Sequence, residues 1–216
     1  MSQLKSKKRV ADHGEVFTNE REVIAMLDLV KHETQRIDSR FLEPACGNGN
    51  FLAEVLSRKL DVVDQKYSNS QLEWERNAVI TVSSIYGVDI LEDNARECRY
   101  RLFKIFEGRY KSLFKDKSKA DCGRSVKYLL QRNILWGDAL DFTNPETKLP
   151  IIFSEWNAIN GSMLKRRDYM FKFLVEKTHQ FLMFNDEGNE ASIDEPIKDY
   201  PLIHFLKLGE NATNEL

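Results

Sequence analysis

Leu42-Glu43-Pro44-Ala45-Cys46-Gly47-Asn48-Gly49-Asn50-Phe51 joins two unlike apolar patterns through a pair of glycines. Phe41 and Leu42 lead into it as a short apolar run, and Phe51, Leu52, Val55 and Leu56 lead out with helical spacing. The pattern predicts a strand, a tight glycine turn and a helix. Gly47 and Gly49 carry no Cβ, so the backbone there is free to take positive φ and to let a ligand approach the main chain. The N–H groups of the helix start then point at that ligand. Glu43 at the strand end would repel phosphates; it suits a ligand that carries an amine. By itself a Gly-x-Gly is equally a bare strand-to-helix turn, so its meaning depends on what surrounds it.

Upstream, Val23, Met26, Leu27 and Val30 form an apolar stripe of helical period, with Asn19 placed to cap it and Glu22 to reciprocate. Downstream, Leu72, Trp74, Ala78, Val79, Val82 and Ile85 predict a helix running into the strand Tyr86-Gly87-Val88-Asp89-Ile90. In an open α/β sheet ligands sit at the carboxyl ends of strands, where an acid such as Asp89 accepts ribose hydroxyls; the alternative for Asp89 alone is a helix N-cap. Asn133 to Leu140 predicts a third short strand ending in a Gly137-Asp138 turn. There the Asp138 carboxylate has the chemistry to accept an adenine amine, and the Ala139 N–H to donate to a ring nitrogen.

These elements, in this order, resemble the DNA adenine-N6 methyltransferases. Glu43-Pro44-Ala45-Cys46-Gly47-Asn48-Gly49 resembles the family's S-adenosylmethionine loop. Gly14-Glu15-Val16-Phe17-Thr18 is similar to its second cofactor element, with Asn19 where the family has Pro. Gly87-Val88-Asp89-Ile90, Asp93-Asn94 and Cys98-Arg99-Tyr100-Arg101-Leu102 follow its second strand and helix, and Asn133-Ile134 with Gly137-Asp138-Ala139-Leu140 its third. The resemblance spans residues 14–140. It implies a doubly wound, mostly parallel α/β sheet of the class I S-adenosylmethionine-dependent methyltransferase (Rossmann-like) type. It further implies S-adenosylmethionine as cofactor, held by Phe17, Thr18, Glu43, Pro44, Ala45, Gly47, Gly49, Phe51, Asp89, Ile90, Asp138 and Ala139. DNA is the implied partner, with a specificity or restriction subunit as a further one, in a restriction-modification system.

Beyond residue 140 the pattern changes. The family ends its next strand in Asn/Asp/Ser-Pro-Pro-Tyr/Phe, which holds the flipped target base. This chain reads Leu149-Pro150-Ile151-Ile152-Phe153-Ser154-Glu155-Trp156-Asn157 and has no Pro-Pro pair. The expectation is a strand ending at Phe153, with Ser154 and Trp156 as an altered catalytic, target-base site. An alternative reading is a catalytically silent cofactor-binding subunit or regulator. Met163 to Gln180 reads as a helix with an apolar stripe and a basic cluster, Lys165-Arg166-Arg167.

The 216 residues divide into a flexible basic arm (1–13), the cofactor-binding domain (14–184) and an acidic tail (185–216). The net charge of −2 hides eleven Lys/Arg against three Asp/Glu between Arg99 and Arg132, and eight acids against two bases from Asn185 on. Tyr110 and Phe114 among the lysines suggest stacking on unpaired bases, or a surface segment with anchoring rings. The tail's thread Tyr200 to Leu206 either folds back or binds a partner. Nothing approaches the roughly 18 consecutive apolar residues of a membrane span. Three cysteines without a Cys-x-x-Cys pair, and four dispersed histidines, point away from disulfides and metal and toward the cytoplasm.

Overall fold

A computed structural model describes Arg9, Ala11, Glu15 and residues 18–172 and 196–213. The helix α1 (Glu20–Leu29) starts as its sequence dictates: Asn19 Oδ1 accepts from the Arg21 N–H at 3.0 Å, and Glu22 Oε2 accepts from the Asn19 N–H at 3.3 Å. Val23 and Leu27 are buried, while Met26 and Val30 of the same stripe remain exposed. Three parallel strands follow: β1 (Phe41–Glu43), β2 (Ile85–Asp89) and β3 (Ile134–Trp136), paired in the order β1-β2-β3. Between β1 and β2 run α2 (Asn50–Tyr67) and α3 (Gln71–Ser83); between β2 and β3 run α4 (Glu92–Phe114) and α5 (Ala120–Asn133).

The architecture is therefore mixed α/β around a short parallel sheet, and among the described residues that sheet stops short of a doubly wound arrangement. A doubly wound sheet needs the chain to return to the other side of β1 and lay helices on the second face. Here the strand order never reverses among the described residues. Instead the chain enters a separate antiparallel sheet, β4 (Ile152–Ile159) against β5 (Met163–Met170), with β6 (Lys198–Asp199) and β7 (Ile203–His204) on the far edge of β5. The two faces of β2 show both layers. A Cβ on Gly87 would meet Leu52 of α2 at 2.9 Å, whereas the Tyr86 ring stands edge-on to Phe153 of β4, centroids 5.5 Å apart. Gly137 is needed on that second face, since a Cβ there would lie 2.3 Å from Ile151.

Two expectations past residue 150 are corrected. The strand does not end at Phe153 but continues to Ile159. Residues 163–170 form a strand and no helix; 173–180 of the expected helix lie outside the described residues. The reason is the alternation along β5. Leu164, Arg166 and Asp168 point inward, while Lys165 and Arg167 reach Asp199 on β6. A buried Arg–Asp pair on the inner face hides the period-2 signal that apolar residues would have shown. The thread in the tail folds back. Phe205 and Leu208 are buried in the 3-10 segment Phe205–Thr213, and Gly209 lies so close to α5 that a Cβ would sit 2.6 Å from Arg124 Cβ.

Lys59 of α2 is fully buried at the amino end of the sheet. Its Nζ donates to Ser84 Oγ at 2.7 Å and to the Ser39 carbonyl, and lies 4.9 Å from the centroid of the Phe41 ring. Burial pushes its pKa from 10.5 down to about 7. Between those values the unfolded chain holds a proton that the folded chain has released, so stability rises with pH across that window. Urea unfolding at pH 7 and pH 10 is expected to show a gain on the order of a few kcal/mol. Lys59→Met is expected to flatten that slope, and an unchanged slope would show that the ammonium stays charged inside.

Candidate functional site

The carboxyl ends of β1, β2 and β3 open onto one cavity of about 590 Å³, within the range of small-molecule sites. The glycine turn forms its floor. Gly47 and Gly49 both take positive φ, 53° and 84°, and the Gly49 N–H closes the turn onto the Cys46 carbonyl at 2.8 Å. Gly49 occupies the N-cap position of α2 and its carbonyl accepts from the Ala53 N–H at 2.8 Å.

Most of the residues singled out in the sequence meet here. Thr18, Glu43, Pro44, Ala45, Gly47, Phe51, Asp89, Ile90, Asp138 and Ala139 line the cavity, joined by Glu15, Met26, Asn48 and Asn94. Gly49 lies beneath it, packed where a Cβ would stand 2.7 Å from Cys98 Sγ. Phe17 lies outside the described residues.

Asp89 holds the turn as well as facing the cavity. Its Oδ2 accepts from the Gly47 N–H at 2.7 Å; its Oδ1 accepts from the Leu91 N–H at 2.9 Å and from Asn94 Nδ2 at 3.2 Å. A carboxylate offers about four acceptor positions, so Asp89 keeps one toward a ligand on Oδ2. Asp138 is likewise half committed, with Oδ1 accepting from the Leu140 N–H at 2.8 Å. Glu43 differs from both. It is half-buried, burial raises its pKa against a smaller opposing effect of a hydrogen bond from the Ala45 N–H, and among the described residues no cation pairs with it. Asn48 Oδ1 is buried without a hydrogen-bond partner.

The charge of the lining is one-sided. Glu15, Glu43, Asp89 and Asp138 supply four carboxylates, and among the described residues no lysine, arginine or histidine lines the cavity. Arg9 compensates Glu15 from behind the wall, and a polyphosphate would meet repulsion from the other three carboxylates. A ligand with positive charge and a few hydrogen-bond donors suits it, and the exposed Ile90 and Leu140 give its rim an apolar surface for a flat ring. The donor and acceptor set is of the kind that S-adenosylmethionine requires: carboxylates for its ammonium and sulfonium charges, over a turn whose Gly47 carries no side chain.

Ser154 and Trp156, expected at a target-base site, do not line this cavity. Both are buried in the second sheet. Ser154 Oγ donates to Asp168 Oδ1 at 2.7 Å and accepts from Arg166 Nε at 3.0 Å; Trp156 Nε1 donates to Asn133 Oδ1 at 2.9 Å. The cause is the continuation of β4, which turns the expected strand tip into strand interior. Trp156→Phe is accordingly expected to cost about 1–3 kcal/mol of stability by leaving Asn133 Oδ1 buried without a donor. Ligand affinity measured by calorimetry should stay at the wild-type value.

The basic stretch from Arg99 to Arg132 is less bare than its composition suggests. Arg109 pairs with Asp61 and Asp64, Lys104 and Lys111 with Glu107, and Lys119 with the buried Glu75. Tyr110 is stacked on Trp74 at 5.2 Å and Phe114 stands edge-on to it, so both rings serve the core and neither is offered to a nucleic-acid base.

Among the described residues no helix is long and apolar enough to cross a membrane, and no cluster of His, Cys, Asp and Glu could hold a metal ion. Comparison with protein-family models, with curated proteins and with solved structures finds no match.

Proposed function

We propose that this chain binds S-adenosylmethionine in the cavity at the strand ends, as a DNA adenine-N6 methyltransferase-like protein of a restriction-modification system. The observation that carries this reading is Glu43: a half-buried carboxylate with no counter-cation among the described residues, in a cavity whose described lining holds four acids and no bases. In this reading Glu43 accepts the ligand's ammonium. Asp89 takes a ribose hydroxyl on its remaining Oδ2 position, and Asp138 with the Ala139 N–H takes the adenine edge. Bound S-adenosylmethionine supplies an electrophilic methyl group.

A second reading, a silent cofactor-binding subunit or regulator acting with a protein or DNA partner, is favoured by the burial of Ser154 and Trp156 away from the cavity. The two readings share the cofactor and divide on transfer. Calorimetry with S-adenosylmethionine tests what they share, and absence of binding would remove both. Transfer of labelled methyl to unmethylated DNA, with and without candidate partner subunits, separates them: transfer in either condition supports the enzyme, and none in both supports the silent subunit.

A further inference from the structure

Four basic residues, Lys5, Lys7, Lys8 and Arg9, look interchangeable in the sequence. Arg9 holds a defined place. Its Nε and Nη2 donate to the two carboxylate oxygens of Glu15 at 2.6 and 2.8 Å, a bidentate fork. The same guanidinium reaches Asp93 in the first turn of α4, at 2.6 Å from Nη1 and 3.1 Å from Nη2, and Asn94 Oδ1 at 3.2 Å. Asn94, almost fully buried, uses both amide hydrogens in the same chain of contacts, one to Glu15 Oε1 at 2.7 Å and one to Asp89 Oδ1 at 3.2 Å.

Glu15 is a wall of the cavity, and its side chain retains only 7% of its exposure. A carboxylate so enclosed, near Asp89 and Asp93, is held in place only if a cation covers it. Arg9 does this while bolting the segment ahead of α1 to the start of α4. The contacts run unbroken from Arg9 through Glu15 and Asn94 to Asp89, the residue that holds the Gly47 N–H. The guanidinium itself points its donors at protein oxygens, so it acts on a ligand through Glu15 and Asp89.

We propose that Arg9 is a positioning residue of this site: it fixes the Glu15 wall against α4, and its loss opens the cavity from that side and weakens a bound cationic nucleoside without removing any direct contact. The affinity part rests on the S-adenosylmethionine reading; the opening of the wall does not.

Cys46 and Cys122 make the test. Both are free and buried; Cys46 lines the cavity, and Cys122 sits remote from it on α5. Alkylation of the full chain by N-ethylmaleimide, followed residue by residue by mass spectrometry without ligand, is expected to be roughly tenfold faster at Cys46 in Arg9→Ala, with Cys122 unchanged. Arg9→Lys, which keeps the charge but not the fork, should fall between. Calorimetric affinity for S-adenosylmethionine should fall by a similar factor in Arg9→Ala. An unchanged Cys46 rate, or equal acceleration of Cys46 and Cys122 from global loosening, overturns the proposal. A wild-type Cys46 that S-adenosylmethionine does not shield would sink the cofactor reading, and the alkylation result would still decide the role of Arg9.

Discussion

Gly49→Val is expected to abolish binding of S-adenosylmethionine and to remove several kcal/mol of stability. Two independent costs meet at this position. The backbone sits at φ +84°, where a β-branched residue is strained by about 1–3 kcal/mol. A Cβ would also stand 2.7 Å from Cys98 Sγ and 3.4 Å from Cys98 Cβ, and Cys98 has no exposed surface into which to move. Overpacking of that kind costs about a further 1–3 kcal/mol. The sum is a large part of the roughly 5–15 kcal/mol that holds a domain together. Whatever relief the chain finds must shift the turn, because the Gly49 N–H is fixed to Cys46 and its carbonyl starts α2. That shift carries the Gly47 N–H off Asp89 and spoils the cavity floor. A Gly49→Ala, Cys98→Ala pair separates the causes. It should recover the steric part in urea unfolding, while the φ part and the affinity loss persist. Wild-type affinity in Gly49→Val would show that the turn does not shape the site.

The same turn explains how much of the molecule was legible beforehand. Strand, glycine turn and helix are local events, written in Phe41-Leu42, Gly47, Gly49 and the spacing of Leu52, Val55 and Leu56. The convergence of Glu43, Asp89 and Asp138 followed from three parallel strands having their carboxyl ends on one side. Asn19 and Glu22 announced a capping box and formed one. What the sequence hid was decided by partners far along the chain. Ser154 and Trp156 read as a strand tip because no local signal extends β4; it is β5, pairing residue by residue from Ile152↔Met170 to Ile159↔Met163, that does so. Arg166 reads as one member of the basic cluster Lys165-Arg166-Arg167, yet it pairs with Asp168 at 2.7 Å in the interior. Arg9 read as one more basic residue of a mobile arm, because its meaning lies in Asp93, far along the chain. Glu15 stands in the same cofactor motif and carries a local signal of its own, an acid two residues before the aromatic of that element.

The one-sided lining carries a consequence for selectivity. With Glu15 covered by Arg9, and with no cation among the described residues paired to Glu43, Asp89 or Asp138, the proposed site ranks ligands by charge before shape. Polyphosphate nucleotides share the adenosine of S-adenosylmethionine but bring the opposite sign. In the proposed binding mode the exposed rim residues Ile90 and Leu140 hold the ring by area, without distinguishing charge. Discrimination thus sits with the acids at the strand tips, and among them with the least committed one.

Glu43→Gln is expected to move stability and affinity in opposite directions. In the free protein, burial raises the Glu43 pKa, so over a window just above the ordinary carboxylate range the folded chain keeps a proton that the unfolded chain has lost. The free protein therefore loses stability as pH rises through that window, and at neutral pH an ionised Glu43 weighs against the fold. Glutamine is neutral at every pH and close to the same size, so the variant should unfold at higher urea than wild type at neutral pH, with that pH dependence gone. A ligand ammonium reverses the sign, because it favours the ionised carboxylate. Affinity of the wild type for S-adenosylmethionine should accordingly rise with pH through the same window, with proton release on binding. In Glu43→Gln that rise should vanish, and affinity at neutral pH should fall roughly 10- to 100-fold, the worth of a hydrogen bond to a charged group. Calorimetry in two buffers of different ionisation enthalpy reads the affinity and the released proton together. If the variant binds as tightly as wild type, or if wild-type affinity is flat with pH, the ammonium does not sit on Glu43 and the orientation proposed for the ligand is wrong.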